Sequence, residues 1–348
     1  MIVYGDPANE QSVGDILESI RRLTRSLTRT ANVDRARHLL ILAGQLEQGL
    51  ADIGDANAAE AITDAAADLF LAVWRGVSSH RPLADVSRRC IALERRAAER
   101  LRVKVPEGFA FYSLFPEQYA LAAERWSQRI ANLPVLPTVL VIGIRSIGTT
   151  LSALVAATLQ QRGITTRRVN VRPTGHPYDR HVTLDSALAR SADWALIVDE
   201  GPGRSGSSFA AVGRALGAIG IAPNRIGLFP GHAGMPGECA SDEIKTWWNA
   251  TERMVASRDT IRWGRHALID LLRHGSRRRL GEEIVRVEDL GGGKWRSVGA
   301  RDAPSWPAFE REKIRCVAAD GRAVLWKFAG LDDGAALAGK RLRRLRDW

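Results

Sequence analysis

The sequence predicts an α/β protein with a parallel-sheet core, an N-terminal helical domain and a small β-rich C-terminal appendage. The first third of the chain shows mainly helical periodicity. Short β-branched runs alternate with helical runs in the middle, and the C-terminal part shows hairpin patterns. We expect a helical domain over residues 1–132 and an α/β domain over 133–257. A basic helix and a small β-rich segment are expected over 258–348.

Composition points to a globular chain. Its 348 residues are 45% hydrophobic and 26% charged, which is enough for several domains with buried cores. We find neither an apolar run of about 18 residues nor a charged-then-apolar leader, so we expect a cytoplasmic protein with no membrane partner. The three cysteines are far apart, which indicates buried free thiols rather than a disulfide framework or a structural metal site. The formal net charge of +11 suits nucleic acid or a polyanionic small molecule, and charge alone does not choose between them.

The N-terminal domain is predicted from apolar residues that recur at intervals of three and four. The segments DILESIRRL, ARHLLILAGQLEQGLADI and AEAITDAAADLFLAVW all show this spacing, and the pattern extends from Gly14 to Arg129. An aromatic stretch over residues 107–126 is expected to pack at a domain junction. A proline-bounded linker at residues 133–137 then leads into the next domain.

The middle of the chain alternates strands and helices. TVLVIGI, TRRVNVR, ALIVD and NRIGLFPG are predicted strands, and TTLSALVAATLQQRG and SFAAVGRALGAIG are predicted helices. This alternation predicts right-handed βαβ units and a mostly parallel sheet. Ligands of such sheets bind beyond the carboxyl ends of the strands. The loops after Ile144, Arg172 and Val198 therefore converge on one edge.

The sequence pattern changes again in the C-terminal region. Residues 258–279 are predicted to form a basic helix, and two hairpins follow in EEIVRVEDLGGGKWRSVG and KIRCVAADGRAVLWKFAG. The second hairpin is expected to turn at Asp320 and Gly321. The closing AGKRLRRLRDW is predicted to be a charged, solvated helical end.

The strongest functional signal is the segment WALIVDEGPGRSGSSFAAVGRALGAIG. A buried strand ends in the adjacent acids Asp199 and Glu200, and a glycine- and serine-rich loop then opens into a helix. Backbone N–H groups at a helix N-terminus attract phosphate, and carboxylates at a strand end can hold ribose hydroxyls or Mg²⁺. The pattern predicts a ribose-phosphate site. Its candidate phosphate-binding residues are Gly203, Arg204, Ser205, Gly206, Ser207 and Ser208.

Two other loops supply candidate ligand contacts. GIRSIGTT can accommodate a diphosphate, because its glycines allow close backbone approach and Arg145 offers a cation. The alternative is an ordinary strand-to-helix connection. VRPTGHPYDR is long and polar and is predicted to be a lid, with an ordinary surface loop as the alternative. The candidate binding residues of these two loops are Ser146, Ile147, Gly148, Arg172, His176, Tyr178, Asp179 and Arg180.

Taken together, ALIVDE, SGSS and the two other loops resemble the type I phosphoribosyltransferase family over about residues 134–231. The resemblance implies a phosphoribosyltransferase-type core that uses phosphoribosyl diphosphate. It assigns Asp199 and Glu200 to the ribose hydroxyls and to Mg²⁺, which is held mainly through the ligand. It assigns residues 205–208 to the 5′-phosphate, and Arg145 with Ser146 to the diphosphate. Asp199, Glu200 and Arg145 are the implied catalytic residues, and a homodimer is implied as a possible assembly.

The sequence also departs from the family pattern. The spacer Gly201-Pro202-Gly203-Arg204 is one residue longer than usual, serines replace threonines, and Glu200 stands where Asp is common. Phosphate binding is expected to survive these changes. Three hypotheses follow: an enzyme of nucleotide metabolism that transfers phosphoribose to a base-like or other nucleophile, a non-catalytic sensor of a ribose phosphate or nucleotide, and a nucleic-acid-associated basic protein, which we do not favour.

Overall fold

A computed structural model of the protein describes residues 8–55, 57–291 and 311–331. The helices are α1 Val13–Arg29, α2 Val33–Asp52, α3 Glu60–Trp74, α4 His80–Ala92, α5 Glu107–Ala110, α6 Pro116–Ile130, α7 Ile147–Gln160, α8 Ser186–Arg190, α9 Ser207–Ile219, α10 Asp242–Ala250 and α11 Leu268–Leu280. The strands are β1 Ala8–Ser12, β2 Arg100–Lys104, β3 Val139–Ile144, β4 Thr166–Val171, β5 Thr174–His176, β6 Asp179–His181, β7 Trp194–Val198, β8 Ile226–Phe229, β9 Glu252–Arg253, β10 Arg262–Trp263, β11 His266–Ala267, β12 Ile284–Asp289, β13 Lys313–Ala318 and β14 Ala323–Lys327.

The chain divides into two compact units. The larger unit comprises the described residues of Asp6–Pro106 together with Tyr119–Ala256. The smaller unit comprises Glu107–Gln118 and the described residues of Ser257–Trp348. The three predicted domains, with boundaries near residues 132 and 257, stay a prediction.

The larger unit is built on a five-stranded parallel sheet in the order β4-β3-β7-β8-β9. In the register of the central strands, Ile142 lies beside both Val169 and Ile197. The α/β fold class is thereby confirmed. Strands β3 and β7 are almost wholly apolar because helices cover both faces of a parallel sheet.

One face of the sheet carries two layers of helices. Helix α7 packs on β3 and β4, and α2 and α3 pack on α7. The approach of α2 is close: a Cβ added at Gly44 would lie 1.9 Å from the Thr150 hydroxyl oxygen. On the other face, Phe209 and Trp248 join Ile142 and Ile197 in a second apolar core. Asp52, the last residue of α2, belongs to the layer above α7.

A buried ion pair joins α2 to the sheet. Arg168 on β4 is 3% exposed and donates to both carboxylate oxygens of Glu47, at 2.8 and 3.1 Å. It also donates to Asp64 on α3 at 2.9 Å. Burial acts to lower the pKa of Arg168, but the charges of Glu47 and Asp64 outweigh it and raise that pKa. The guanidinium is therefore charged at every accessible pH.

The smaller unit contains a three-stranded antiparallel sheet in the order β12-β13-β14, covered by α11. Ile284, Ile314 and Cys316 are buried in its core. The Trp326 indole N–H donates to the Ser276 hydroxyl at 2.8 Å, which ties the sheet to the helix. The predicted hairpin with a turn at Asp320 and Gly321 is confirmed, since β13 pairs antiparallel with β14.

Several sequence-based expectations differ from the structure. The predicted basic helix begins ten residues later, at Leu268, because residues 262–267 form the β10–β11 hairpin around Gly264, whose φ is +64°. The strand pair β1–β2 interrupts the predicted all-helical region. Cys90 and Cys316 are buried free thiols, whereas Cys239 is only half-buried. Part of the first predicted hairpin, GGGKWRSVG, and the closing AGKRLRRLRDW lie outside the described residues, apart from Gly291.

The first prediction concerns the buried ion pair. Replacing Glu47 with Gln leaves the Arg168 guanidinium buried without its bidentate carboxylate, so we expect the free energy of unfolding to fall by about 3 kcal/mol. Urea denaturation followed by tryptophan fluorescence measures the change. Glu18→Gln removes an exposed pair with Arg25 and should cost less than about 1 kcal/mol. Equal losses in the two variants would contradict the importance assigned to the buried pair.

The second prediction concerns pH and Asp68 on α3. Burial raises the pKa of this carboxyl, partly offset by the Gln161 amide that donates to it. A raised pKa in the folded state means that wild-type stability increases as pH falls through that pKa towards the ordinary value of 3.8. Asp68→Asn should therefore melt about 1–2 °C higher than wild type at pH 7, and the difference should disappear near pH 3. Thermal scans across pH, with the fully exposed Asp242→Asn as control, measure it.

Candidate functional site

The three predicted loops lie at the same edge of the sheet. Strands β4, β3 and β7 are adjacent and parallel, so their carboxyl ends meet there. Arg172 directly follows β4, Arg145 follows β3, and Asp199 and Glu200 follow β7. The Arg145 loop occupies the middle position.

Two glycines allow the Arg145 loop to approach the acids. A Cβ at Gly148, near the start of α7, would lie 2.6 Å from the carbonyl oxygen of Val198, the residue before Asp199. A Cβ at Gly143, at the other end of the loop, would lie 2.4 Å from the Gly148 carbonyl oxygen. Both distances are too short for a side chain. Ser146 precedes α7, Ile147 is its first residue and is buried, and the Arg145–Ser146 peptide bond is cis.

The two acids are half-buried, and hydrogen bonds hold their backbone in place. The Tyr119 hydroxyl donates to the Asp199 carbonyl oxygen at 2.6 Å, and the Gly231 N–H donates to the Glu200 carbonyl oxygen at 2.8 Å. The Glu200 N–H donates to the Asp199 carboxylate at 2.9 Å. Burial, and then the charges of the two acids, raise the pKa of Tyr119 well above its usual value, so its hydroxyl stays a donor.

The Arg145 guanidinium has buried hydrogen-bond donors without partners in the described part of the chain. Its side chain is 15% exposed, and within the described part of the chain its buried Nε and Nη1 atoms have no hydrogen-bond partner. Burial lowers the pKa of the guanidinium, and Asp52 raises it in part. A buried arginine with unused donors is costly unless an anion arrives, so this residue is well suited to bind one.

Asp52 stands between the two arginines of the site. Arg172 donates to both of its carboxylate oxygens, at 2.7 and 2.5 Å, and Arg145 Nη1 lies 3.3 Å from one of them. The Gln48 amide adds a fourth contact at 2.8 Å. Asp52 is the last residue of α2, more than 90 residues before Arg145 in the chain.

The glycine- and serine-rich loop has the form of a phosphate cradle. Gly203 and Gly206 have φ values of +60° and +68°, which only glycine adopts readily, and α9 begins at Ser207 directly after the loop. The hydroxyls of Ser205 and Ser207 are buried and lie 3.0 Å apart. Both donate to the carbonyl oxygen of Pro177, at 3.3 and 2.7 Å.

Pro177 belongs to the segment predicted to be a lid. This segment is a short hairpin in which β5 pairs with β6, and His176 and Tyr178 pack edge to face at its exposed tip. Arg214 on α9 donates to the Arg180 carbonyl oxygen at 3.0 Å and lies 3.5 Å from the Asp179 carboxylate. The hairpin is therefore held against α9, over the serine hydroxyls.

Some predicted site residues have partners elsewhere in the chain. Arg204 is exposed and pairs with Glu238 at 2.8 Å, a contact that raises the pKa of Arg204. Arg180 donates at 3.4 Å to the Pro173 carbonyl oxygen within its own segment. Ser208 is half-buried in the first turn of α9. Arg204 and Arg180 thus pair with Glu238 and Pro173, just as Arg172 pairs with Asp52 and the two buried serines pair with Pro177, and the roles assigned to these residues stay predictions.

Three groups at this edge have no sequence signal that identifies them: Asp52, Tyr119 and the Pro177 carbonyl. Asp52 lies at the end of a helix whose sequence pattern is that of an ordinary core helix. Tyr119 is one of several aromatic residues in its segment. Neither carries a local signal. A carbonyl oxygen has no sequence signature at all, so only the folded hairpin identifies it.

The donor set determines how a metal ion could be held. In the described ranges, no group of three His, Cys, Asp or Glu side chains is placed to bind one. Asp199 and Glu200 offer two carboxylates, which suits Mg²⁺ when a bound phosphate and water supply the other ligands. The residues present therefore fit a metal that arrives with its ligand. Among the helices described, none has the length and apolar character to cross a membrane.

Comparisons with known proteins show similarity only among solved structures. No family model and no curated protein matches the chain. The L. donovani hypoxanthine-guanine phosphoribosyl transferase is 14% identical, with a TM-score of 0.30, over 41% of this chain and 77% of that one. The Trypanosoma cruzi hypoxanthine phosphoribosyltransferase, solved with the product IMP, is 11% identical, with a TM-score of 0.26, over 33% and 60%. The purine phosphoribosyltransferase of Pyrococcus horikoshii Ot3 is 16% identical, with a TM-score of 0.25, over 34% and 75%.

These identities and TM-scores are low. They establish a likeness to part of each neighbour and nothing about substrate, so the function proposed below rests on the residues of the site.

The third prediction concerns Gly148. Alanine at this position would collide with the Val198 carbonyl and push the start of α7 away from the acids, so we expect a loss of about 1–3 kcal/mol in unfolding free energy. Chemical denaturation measures it. Gly217→Ala, in open space on α9, is the matched control and should stabilise the protein by up to about 1 kcal/mol. If Gly148→Ala left the unfolding free energy unchanged, the loop would not depend on this close approach.

Proposed function

We propose that this protein is a phosphoribosyltransferase that binds phosphoribosyl diphosphate, with Mg²⁺, at the carboxyl edge of its parallel sheet. The observation that carries the proposal is that the two acids share one edge of the sheet with two candidate anion-binding loops. Asp199 and Glu200 follow β7, the buried Arg145 with unused donors follows the adjacent β3, and the serine loop opens α9. A ribose that carries a phosphate at one end and a diphosphate at the other matches this order of groups.

In this proposal each group has one role. Asp199 and Glu200 accept hydrogen bonds from the ribose hydroxyls. The Ser205 and Ser207 hydroxyls, with the first N–H groups of α9, bind the 5′-phosphate. Arg145 and Arg172 bind the diphosphate, and the β5–β6 hairpin covers the ligand.

The proposed reaction transfers the phosphoribosyl group to a nucleophile. The bond between the anomeric carbon and the diphosphate oxygen breaks, and the electron pair leaves with the diphosphate. A bond then forms between that carbon and the acceptor. Arg145 and Arg172 stabilise the charge that develops on the departing group, and the hairpin excludes water. Asp199 and Glu200 would hold Mg²⁺ mainly through the bound ligand, and the ion would supply charge neutralisation for the diphosphate.

A second candidate function is a sensor that binds the same ligand without turning it over. One observation favours it: the Ser205 and Ser207 hydroxyls and the Arg172 guanidinium are already engaged by groups of the chain itself. A ligand must replace these contacts, and such an exchange can serve as a signal without chemistry.

The fourth prediction tests ligand binding. Asp199→Asn combined with Glu200→Gln removes two charged acceptors, so we expect the affinity for phosphoribosyl diphosphate in the presence of Mg²⁺ to fall about a hundredfold. Isothermal calorimetry measures it. The adjacent acids Asp242 and Glu243 in the first turn of α10 provide a charge-matched control, Asp242→Asn with Glu243→Gln, which should bind as wild type does.

Diphosphate release separates the two candidate functions. Release that depends on a nucleobase or another added nucleophile supports transfer, whereas binding without release across a broad panel supports the sensor. If the wild-type protein binds neither phosphoribosyl diphosphate nor ribose 5-phosphate, both candidates are excluded.

A further inference from the structure

We propose that, without ligand, groups of the chain itself occupy the anion-binding positions of the site. In this state the Asp52 carboxylate occupies the diphosphate subsite. This inference rests on the proposed function and assigns a mode of regulation to the same site. It follows from contacts that the proposed ligand would have to replace.

Asp52 makes the contacts expected of a bound anion. Arg172 grips both of its carboxylate oxygens, and Arg145 contacts the same carboxylate. Paired, parallel N–H donors from arginine are the usual means by which proteins hold carboxylates and phosphates. The carboxylate is 27% exposed, so a soluble anion can reach and displace it.

The position of Asp52 in its helix is unfavourable on its own. The C-terminal end of a helix carries partial negative charge and favours cations, yet the last turn of α2 has no basic residue and ends in Asp52. Arg172 and Arg145 supply the compensating charge from the sheet. The end of α2 is therefore stabilised by the two arginines that the proposal assigns to the diphosphate.

In the proposed phosphate subsite, too, a group of the chain itself occupies the position of the ligand. The Pro177 carbonyl accepts hydrogen bonds from the Ser205 and Ser207 hydroxyls, in the place where a phosphate oxygen would accept them. Arg214 holds the hairpin there through the Arg180 carbonyl. Both anion subsites are thus filled by oxygen acceptors from elsewhere in the chain.

Competition of this kind lowers the apparent affinity of the ligand. If the arginines are free in only a fraction of the molecules, the apparent dissociation constant rises by the inverse of that fraction. Any event that moves the end of α2 would open the diphosphate subsite, which links the helical layer to the proposed site. Asp52 is accordingly a regulatory residue and not a catalytic one.

The fifth prediction tests Asp52 directly. Asp52→Asn keeps the shape of the side chain but removes the competing charge, so we expect it to bind inorganic pyrophosphate about tenfold more tightly than wild type. Calorimetry in the presence of Mg²⁺ measures this. Asp55→Asn is the charge-matched control, because Asp55 lies three residues away and pairs with Arg96 rather than with Arg145 or Arg172. It should bind pyrophosphate as wild type does.

A measurement on the wild type gives the same test without a mutation. When pyrophosphate displaces Asp52, the end of α2 loses its anchor, so amide hydrogen exchange at residues 50–55 should become faster rather than slower. Unchanged or slower exchange there overturns the inference.

The remaining outcomes distinguish the two proposals. Equal or weaker pyrophosphate binding by Asp52→Asn, or equal gains in Asp52→Asn and Asp55→Asn, overturns the inference. If the wild type nevertheless binds phosphoribosyl diphosphate, the proposed function stands and only the inference fails. If no variant binds either ligand, both fail.

Discussion

The buried pairing of Arg168 with Glu47 is the interaction on which the arrangement of the larger unit depends. Separating this pair would leave two buried charges without partners, which is energetically costly. The pair therefore holds α2 in one position over β4. Arg168 and Asn170 lie on one face of β4, and Arg172 directly follows the strand. Glu47 engages the first two, and Asp52 engages the third. The ion pair thus sets the register that brings Asp52 to the edge of the sheet.

This register explains why the Asp52 carboxylate lies at the carboxyl edge of the sheet. Once α2 lies with Glu47 on Arg168, its last residue pairs with Arg172 and lies 3.3 Å from Arg145, whose Nε and Nη1 atoms still have no hydrogen-bond partner within the described part of the chain. In the glycine- and serine-rich loop, the hydroxyls of Ser205 and Ser207 donate to the Pro177 carbonyl oxygen of the β5–β6 hairpin. A ligand that binds as proposed would exchange partners with Asp52 and with the Pro177 carbonyl.

Much of the core could be predicted because local patterns carry it. The apolar runs of β3 and β7, the acids Asp199 and Glu200, and the glycine loop before α9 are all legible in the sequence, and the structure has these elements within a residue or two. The β10–β11 hairpin was missed because two-residue strands leave no periodicity, and only Gly264 marks its turn. Arg204 was assigned to the phosphate, but its pairing with Glu238, 34 residues away, could not be foreseen.

The sequence by itself determined the parallel α/β core and the acids, glycines and serines at its edge, because hydrophobic period and loop composition are local properties of the chain. Only the tertiary structure decided which charges meet. The polar face of TRRVNVR looks unsuited to a covered sheet until the acids of α2 are seen to lie on it. Asp52 and Arg172 are 120 residues apart, and electrostatic pairing over such a separation depends on packing that no short pattern encodes.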